Sequence, residues 1–430
     1  MKVNTVFRKS FLMFFIVVFS CEDYLDIVPD RTQEISLLFN RRESAFSALA
    51  NCYSYLPKKD DIYATFVVAS DELTTPLQKE PNSIKLMKGE QSVSNPKMSF
   101  WSGYSGGAYQ GSLWEAIRSC NILIDNIDLV IDMQQQEKNE WKAEAEFLKA
   151  YYHFLLLTYY GPIPIVDTNI PISANDDEVR VERVPFDEVI SYIVETIDNS
   201  ILNLPIRVTG VNDLGRVDQI IAKSIKSRVL LYSASPLFNG NSEFYSGFTN
   251  NDGENLFNLN YDIEKWQLAA DAAAEAIIAA TGQGVSMYQY SGDIPTFDEV
   301  NYINPFIQSQ YDYRYLVTDP WNSELIWGNS SPVDSWWRLQ SGSLMKNPTA
   351  SSGEAAWQWI APTMRMAELF YTKNGLPIDY DLTFDYSNRY EVTPVAFIQR
   401  YVAQYGQSTA KLNLDREPRF YSSLAFDRGY

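Results

Sequence analysis

The sequence concentrates aromatic rings and hydrogen-bonding side chains in three short regions. Of its 430 residues, 14% are Phe, Trp or Tyr. One region is rich in glycine, the second is dense in tyrosine, and the third pairs two tryptophans with Asp334 and Arg338. The regions are residues 99–109 with Trp101 and Tyr104, residues 302–321 with Tyr302, and residues 334–338 with Trp336 and Trp337.

This mixture of residue types suits the recognition of sugars. An aromatic face stacks on the apolar C–H side of a sugar ring, while nearby carboxylates, amides or guanidinium groups bond its hydroxyls. The alternative is that the rings fill the interior of loops, which is the commoner role for any single tryptophan. For the set as a whole, we expect at least one aromatic residue to contact a ligand.

Catalysis is not expected, although two enzyme hypotheses have to be tested. Residues 103–107 spell the G-x-S-x-G motif of serine hydrolases, but that motif needs a following helix and an activating histidine. The sole histidine, His153, lies in an apolar helical pattern and is expected to be a core residue. A glycosidase needs two facing carboxylates, and pairs such as Asp176-Asp177 and Asp60-Asp61 have the form of solvated loops.

No cofactor and no metal are expected. Residues 250–254 (NNDGE) offer oxygen ligands, but Phe248 stands where an EF-hand would carry its first aspartate, which favours a simple polar turn. The sequence contains no P-loop motif.

The first twenty residues have the form of a secretory signal peptide. Lys2, Arg8 and Lys9 precede an apolar run of ten residues, which is too short to span a bilayer. Residues 18–21 (VFSC) are similar to a lipobox, in which Cys21 is acylated and becomes the mature N-terminus. The alternative is an ordinary secretory signal followed by a chance cysteine.

The chain is strongly acidic, with 35 basic and 54 acidic residues and a net charge of −19. Repulsion between like charges argues against general binding to nucleic acid or to anionic lipid. A lipid on Cys21 would therefore attach the protein to a membrane through its acyl chains.

Residues 21–282 carry repeated apolar stripes with the period of an α-helix. We therefore predict a mainly α fold, an irregular tetratricopeptide-like superhelix, followed by a loop-rich part over residues 283–430. Cys52 and Cys120 each fall on an apolar stripe, which favours buried free thiols over a disulfide. The stripes are 45–56, 113–131, 141–159, 186–204, 217–229 and 266–280.

Eight segments, in this order, resemble the SusD/RagB-like family of nutrient-uptake lipoproteins of the Bacteroidetes outer membrane. The strongest are residues 143–166 (AEAEFLKAYYHFLLLTYYGPIPIV) and 215–239 (GRVDQIIAKSIKSRVLLYSASPLFN). The others are residues 21–29, 69–72, 114–121, 324–327, 373–375 and 415–420.

The resemblance implies a helical scaffold that packs against a SusC-like TonB-dependent transporter and a surface that captures oligosaccharide for delivery to the pore. It also implies that Asp71 contributes to the ligand site, together with an aromatic residue before the Trp114 helix. In the family, the segment at residues 415–421 precedes a substantial C-terminal stretch. We therefore expect the second part to be incomplete. A scaffold that binds no sugar and closes a peptide importer is the alternative.

Overall fold

The computed structural model describes residues 39–56, 69–75, 82–105, 108–109, 111–171, 173–294, 305–330 and 360–430. The fold is mainly helical, as predicted, and its helices form a tetratricopeptide-like scaffold. Across the described ranges, no helix is both long and apolar enough to cross a membrane.

Helices dominate the residues up to 282. The longer ones place apolar residues against their neighbours, as the periodic stripes predict. They are α1 (Arg42–Ser54), α2 (Asn82–Met87), α3 (Leu113–Asn126), α4 (Gln135–Tyr160), α5 (Phe186–Ile201), α6 (Gln219–Ala234), α7 (Ser242–Tyr245) and α8 (Glu264–Gly282).

Local sequence sets the ends of these helices. Ser112 and Glu115 form a capping box at the start of α3, in which each side chain accepts the other's backbone N–H. Asp218 caps α6 by accepting the N–H of Ile221. After α4, Gly161 takes a φ of +68°, a conformation that favours glycine and turns the chain away from the helix.

Two predicted stripes are only partly correct. Ile131 is 86% exposed because α3 gives way to a 3₁₀ turn at Ile127, which ends the helical repeat. In α8, Trp266 and Ile277 are exposed, and the buried face consists of alanines instead. Small side chains allow a close approach between α8 and its main packing partner α6. The alanines are Ala269, Ala272, Ala276 and Ala280.

One large hydrophobic core joins α1, α3, α4, α5 and α6, with Trp141 and Tyr152 fully buried at its centre. Cys52 and Cys120 are both completely buried free thiols within it, which confirms that prediction. Burial raises the pKa of the Cys120 thiol well above its usual range.

A buried ion pair fastens the loop before α6 to this core. Arg216 donates to both carboxylate oxygens of Glu144, at 2.5 and 3.2 Å, and Tyr53 donates to the same carboxylate at 2.5 Å. Glu144 is 1% exposed, and burial raises the pKa of its carboxyl despite these donors.

The second part contains short elements and much irregular chain. Its described elements are α9 (Pro305–Thr318), β5 (Ala361–Pro362), α10 (Met364–Leu369), β6 (Val392–Pro394), β7 (Ser408–Ala410) and α11 (Pro418–Ser423). A smaller hydrophobic cluster around Val395, Leu414 and Phe420 lies in this part. The predicted division at residue 282 stays a prediction.

Helix α9, with 14 residues, is an exception within the part expected to be loop-rich, residues 283–430. Ile307, Gln310 and Arg314 recur at helical spacing. The first two are buried, and Arg314 donates to Tyr421 O of α11, the helix that packs on α9. Because two of these three residues are polar, hydrophobicity alone does not reveal the pattern.

Three small antiparallel sheets lie within the described residues, and one of them connects distant segments. β1 (Leu73–Thr74) pairs antiparallel with β5, and β6 pairs with β7. β2 (Met98–Ser99), β3 (Tyr104–Ser105) and β4 (Ala108–Tyr109) form an antiparallel sheet of order β2-β3-β4 just before α3.

Candidate functional site

The aromatic groups around Trp101 form the most complete candidate site, here called the Trp101 cluster. It consists of Trp101, Trp114, Tyr160 and Arg183. The Trp101 ring meets Trp114 nearly edge-on, with centroids 5.0 Å apart and an interplanar angle of 77°. It meets Tyr160 in the same way at 5.3 Å and 80°. Two perpendicular neighbours therefore fix the orientation of one ring.

The turn that carries Trp101 is fixed by its backbone. The Trp101 N–H donates to Tyr160 Oη at 3.1 Å, and Gly103 closes the turn with a bond to Ser99 O and a φ of +84°. The preceding ring, Phe100, stacks on Tyr159 at 4.6 Å. The Phe100 carbonyl accepts from Leu113 N–H, which attaches the turn to the first residue of α3.

Arg183 brings a positive charge to the Trp101 ring. Its Cζ lies 5.8 Å from the ring centroid, within the range of a cation–π contact. Arg183 Nη1 donates to Tyr160 O at 3.0 Å and Pro162 O at 2.8 Å, so the carbonyls at the end of α4 hold the guanidinium.

The cluster offers a fixed aromatic face beside polar groups. Trp101 is 37% exposed although three of its neighbours pack against it. A planar ring that is already oriented loses little freedom when a ligand stacks on it, which favours binding. The arrangement combines an aromatic face that can stack on a sugar ring with a guanidinium group that can donate to hydroxyls.

A second group of aromatics lies where α9 meets the chain after α8. Tyr290 stacks on Tyr315 at 4.2 Å, and Tyr311 lies 5.8 Å from Tyr315. Asp312 accepts from the Tyr290 N–H at 2.8 Å and from Gln308 at 2.7 Å. This part of the predicted 302–321 region combines rings and polar groups as expected, but on a helix.

Of the predicted site residues, the structure places Trp101 in the cluster. Tyr104 lies on β3, where its backbone pairs with Ser99 and Tyr109. Four others lie outside the described residues: Cys21, Tyr302, Trp336 and Trp337. The expected convergence of the three aromatic regions therefore stays a prediction.

Asp71 is exposed and belongs to a different junction. Its carbonyl accepts from Thr363 Oγ1 at 2.5 Å, and the next carbonyl, of Glu72, accepts from Thr363 N. These bonds extend the β1–β5 pair, so Asp71 is attached to the second part of the chain, whereas Trp101 is attached to α4.

Tyr160 and Arg183 are not among the site residues that the sequence predicts. Tyr160 belongs to a segment whose pattern indicates scaffold, and Arg183 lies in a charged stretch before α5. The only available signal was Gly161-Pro162, which ends α4 and exposes carbonyls that a cation can bind.

The serine hydrolase hypothesis does not fit the described geometry. Ser105 lies on β3, which is followed by β4, whereas the motif needs a helix directly after its serine. His153 is fully buried, and both ring nitrogens bond to backbone: Nδ1 at 2.8 Å from Lys149 O, and Nε2 at 3.1 Å from Val166 N. Burial lowers the pKa of His153 to about 4, so it is a neutral core residue as expected.

The remaining polar motifs that the structure describes are turns. Asp176 and Asp177 are exposed, while Asp60 and Asp61 lie outside the described residues. Asn250 closes its turn by accepting from Asp252 N and Glu254 N through Oδ1. In the described ranges, no group of three or more His, Cys, Asp or Glu residues could hold a metal ion.

Comparisons with known proteins agree on one family. A SusD-like family model, described as "Starch-binding associating with outer membrane", matches residues 23–231. A curated relative, SusD-like protein P25 of Formosa agariphila, is 21% identical over 240 residues, which cover 53% of this chain and 43% of the relative.

Solved structures extend the similarity beyond the matched region. BT4246 is 27% identical with a TM-score of 0.68, and the match covers 89% of this chain and 64% of that protein. A SusD-like protein from Bacteroides fragilis (BF3747) shares the fold at 17% identity and a TM-score of 0.61, covering 90% of this chain and 60% of that one. The chain thus spans less than two thirds of the length of these relatives. The predicted segments, the family model and the fold agree in making this chain similar to the SusD-like family.

Proposed function

We propose that the protein is a cell-surface lipoprotein that captures oligosaccharide and passes it to a partner SusC-like TonB-dependent transporter. The observation that carries the proposal is the exposed Trp101 ring, held edge-on by Trp114 and Tyr160 with Arg183 beside it. The description of the family as starch-binding and associated with the outer membrane supports the same class of ligand and the same location.

Anchoring, orientation and partner belong to the same proposal. A lipid on Cys21 holds the protein in the outer membrane facing the cell exterior, and the helical scaffold docks on the transporter. Binding proceeds without chemistry, because capture followed by delivery needs moderate affinity and release. An oligosaccharide incubated with the protein is therefore expected to stay uncleaved.

The test is calorimetric titration of the chain from Glu22 onward with maltoheptaose and a panel of plant, host and microbial oligosaccharides. We expect saturable binding to one class, with affinity about 3- to 10-fold lower in Trp101→Ala. That range corresponds to ~0.5–1.5 kcal/mol for an aromatic stacking contact.

Trp266→Ala is the matched control. Trp266 is also 37% exposed, but it lies on α8, away from the cluster. Equal losses in the two variants, or a folded protein that binds nothing on the panel, would count against the glycan-binding proposal. The second result would favour the scaffold of a peptide importer.

A further inference from the structure

A separate polar cavity lies in the second part of the chain, between the turn after α10 and residues 381–384. Its volume is about 290 Å³, just below the ~300–1,000 Å³ typical of ligand pockets. We call it the Asp381 pocket. Asp381 and Thr372 are its buried residues, while Asn374, Thr383, Phe384 and the Lys373–Asp415 pair also line it.

Asp381 organises the pocket. Oδ2 accepts from Thr372 Oγ1 at 2.6 Å and from Asn374 Nδ2 at 2.9 Å. Oδ1 accepts from Thr383 through its N–H at 2.9 Å and its hydroxyl at 2.7 Å. These donors, the Thr372 hydroxyl first, hold the pKa of Asp381 well below its usual range.

The backbone around the cavity is also fixed. Thr372 forms an isolated antiparallel bridge with Arg416, and Lys373 N–H donates to Asp415 O at 2.8 Å. Asp415 has a φ of +55°, which is strained for a residue other than glycine. Its carboxylate is held by Lys373 at 2.9 Å and by Gln399 at 3.2 Å.

Charge decides which ligand this cavity suits. Asp381 already receives four hydrogen bonds, so it does not need a cation to compensate its charge. Lys373 and Asp415 neutralise one another, so the wall does not attract an anion. What remains is a set of hydroxyl, amide and ionic groups around the Phe384 ring, with a mouth where the Lys373 side chain is 56% exposed.

From this geometry we infer that the Asp381 pocket binds one neutral pyranose unit. Its aromatic ring would face the C–H side of the sugar, and the Asn374, Lys373 and Asp415 side chains would bond its hydroxyls. The pocket is too small for a chain of several sugars, so it suits a terminal or branching residue. This inference does not depend on the Trp101 cluster.

The test is saturation-transfer difference NMR with the methyl pyranosides of glucose, galactose, mannose, xylose and N-acetylglucosamine. We expect a signal from at least one, reduced at least fivefold in Lys373→Met and in Thr383→Val. Lys373 and Thr383 are both exposed, so their replacement should leave the protein folded, which circular dichroism checks.

Two control variants test whether the signal comes from this pocket rather than from another lysine or from the Trp101 cluster. Lys411→Met removes another lysine of the same part, which pairs with Asp385 and Glu391, and the signal should not change. Trp101→Ala should also leave it unchanged. Three results would overturn the inference. They are no signal from any of the five pyranosides, an undiminished signal in both pocket variants, and a loss of signal in Trp101→Ala alone.

Discussion

At the scale of single residues, His153 makes the stability of the core depend on pH. Its ordinary pKa of about 6.5 falls to about 4 in the folded chain because burial disfavours the imidazolium ion. Between these values the unfolded chain binds a proton that the folded chain does not. Stability is therefore expected to fall as the pH decreases from 6.5 to 4, by about 3 kcal/mol from this residue.

Comparison with His153→Gln isolates this contribution from the carboxylates that titrate in the same range. The variant should be less stable at pH 7, and the difference in the free energy of unfolding should narrow towards pH 4. Urea denaturation at a series of pH values measures it. Parallel pH dependences for the two proteins would contradict a neutral buried histidine.

The Glu144–Arg216 pair makes a second prediction at this scale. Arg216→Ala leaves a carboxylate that is 1% exposed without its cation, so we expect a loss of about 3–5 kcal/mol. Arg42→Ala is the matched control. Arg42 also lies over the Trp141 ring, at 5.1 Å against 5.8 Å for Arg216, but its ion pair with Glu137 is exposed.

For Arg42→Ala the expected loss is below about 1 kcal/mol. Thermal or chemical denaturation of the two variants measures both losses of stability. The comparison shows whether a buried ion pair contributes more than an exposed one. Similar losses in both would mean that the contact with Trp141, rather than the buried ion pair, carries the stability.

At the scale of elements, the sequence predicted those helices whose buried residues follow a periodic hydrophobic pattern. The stripes of α4 and α5 are largely buried as expected. Helix α5 turns one apolar face to the core, whereas α4 is buried on every side over residues 147–157. The prediction from periodic hydrophobicity was only partly correct for α8, where close packing favours alanine. It missed α9, whose buried residues include Gln310. The place of Tyr160 and Arg183 in the candidate site could not be predicted for a related reason. It depends on the direction of the chain after Gly161, and no local sequence pattern encodes that direction.

The entry to α3 provides a prediction about loop geometry. Gly111 has a φ of +87°, and a Cβ there would lie 2.7 Å from Tyr55 Cε1. Gly247 has nearly the same φ, +85°, with open space around it. Gly247→Ala should cost roughly 1–2 kcal/mol for the backbone alone. Gly111→Ala should cost roughly 1–3 kcal/mol more, because the ring must move.

Denaturation of both variants measures the difference in their free energies of unfolding. Calorimetry checks whether glycan affinity also falls in Gly111→Ala, since Gly111 lies next to the turn that carries Trp101. Equal destabilisation would show that Tyr55 moves aside at little cost.

At the scale of the whole molecule, two hydrophobic clusters divide the described chain. The larger gathers residues from Phe39 to Phe257, and the smaller surrounds Phe420. Phe420→Ala, which empties a site that is 1% exposed, should cost about 3–5 kcal/mol within the smaller cluster. Hydrogen exchange should accelerate at residues 395–423 while α4 keeps its protection.

Leu148→Ala is the complementary variant, because Leu148 is fully buried in the larger cluster. It should accelerate exchange in α3 and α4 first. A uniform acceleration in both variants would indicate a single cooperative unit and would contradict two separately stabilised clusters.

The bond between Thr363 and Asp71 joins residues 292 positions apart. When the chain folds, pairing of the Asp71 segment therefore requires the closure of a long loop, whereas α3 and α4 are neighbours in the sequence and can pack early. Closing so long a loop is slow relative to local helix pairing. A folding chain would thus form the Trp101 turn well before the Asp71 junction closes, and β1 would be exposed to mispairing in that interval.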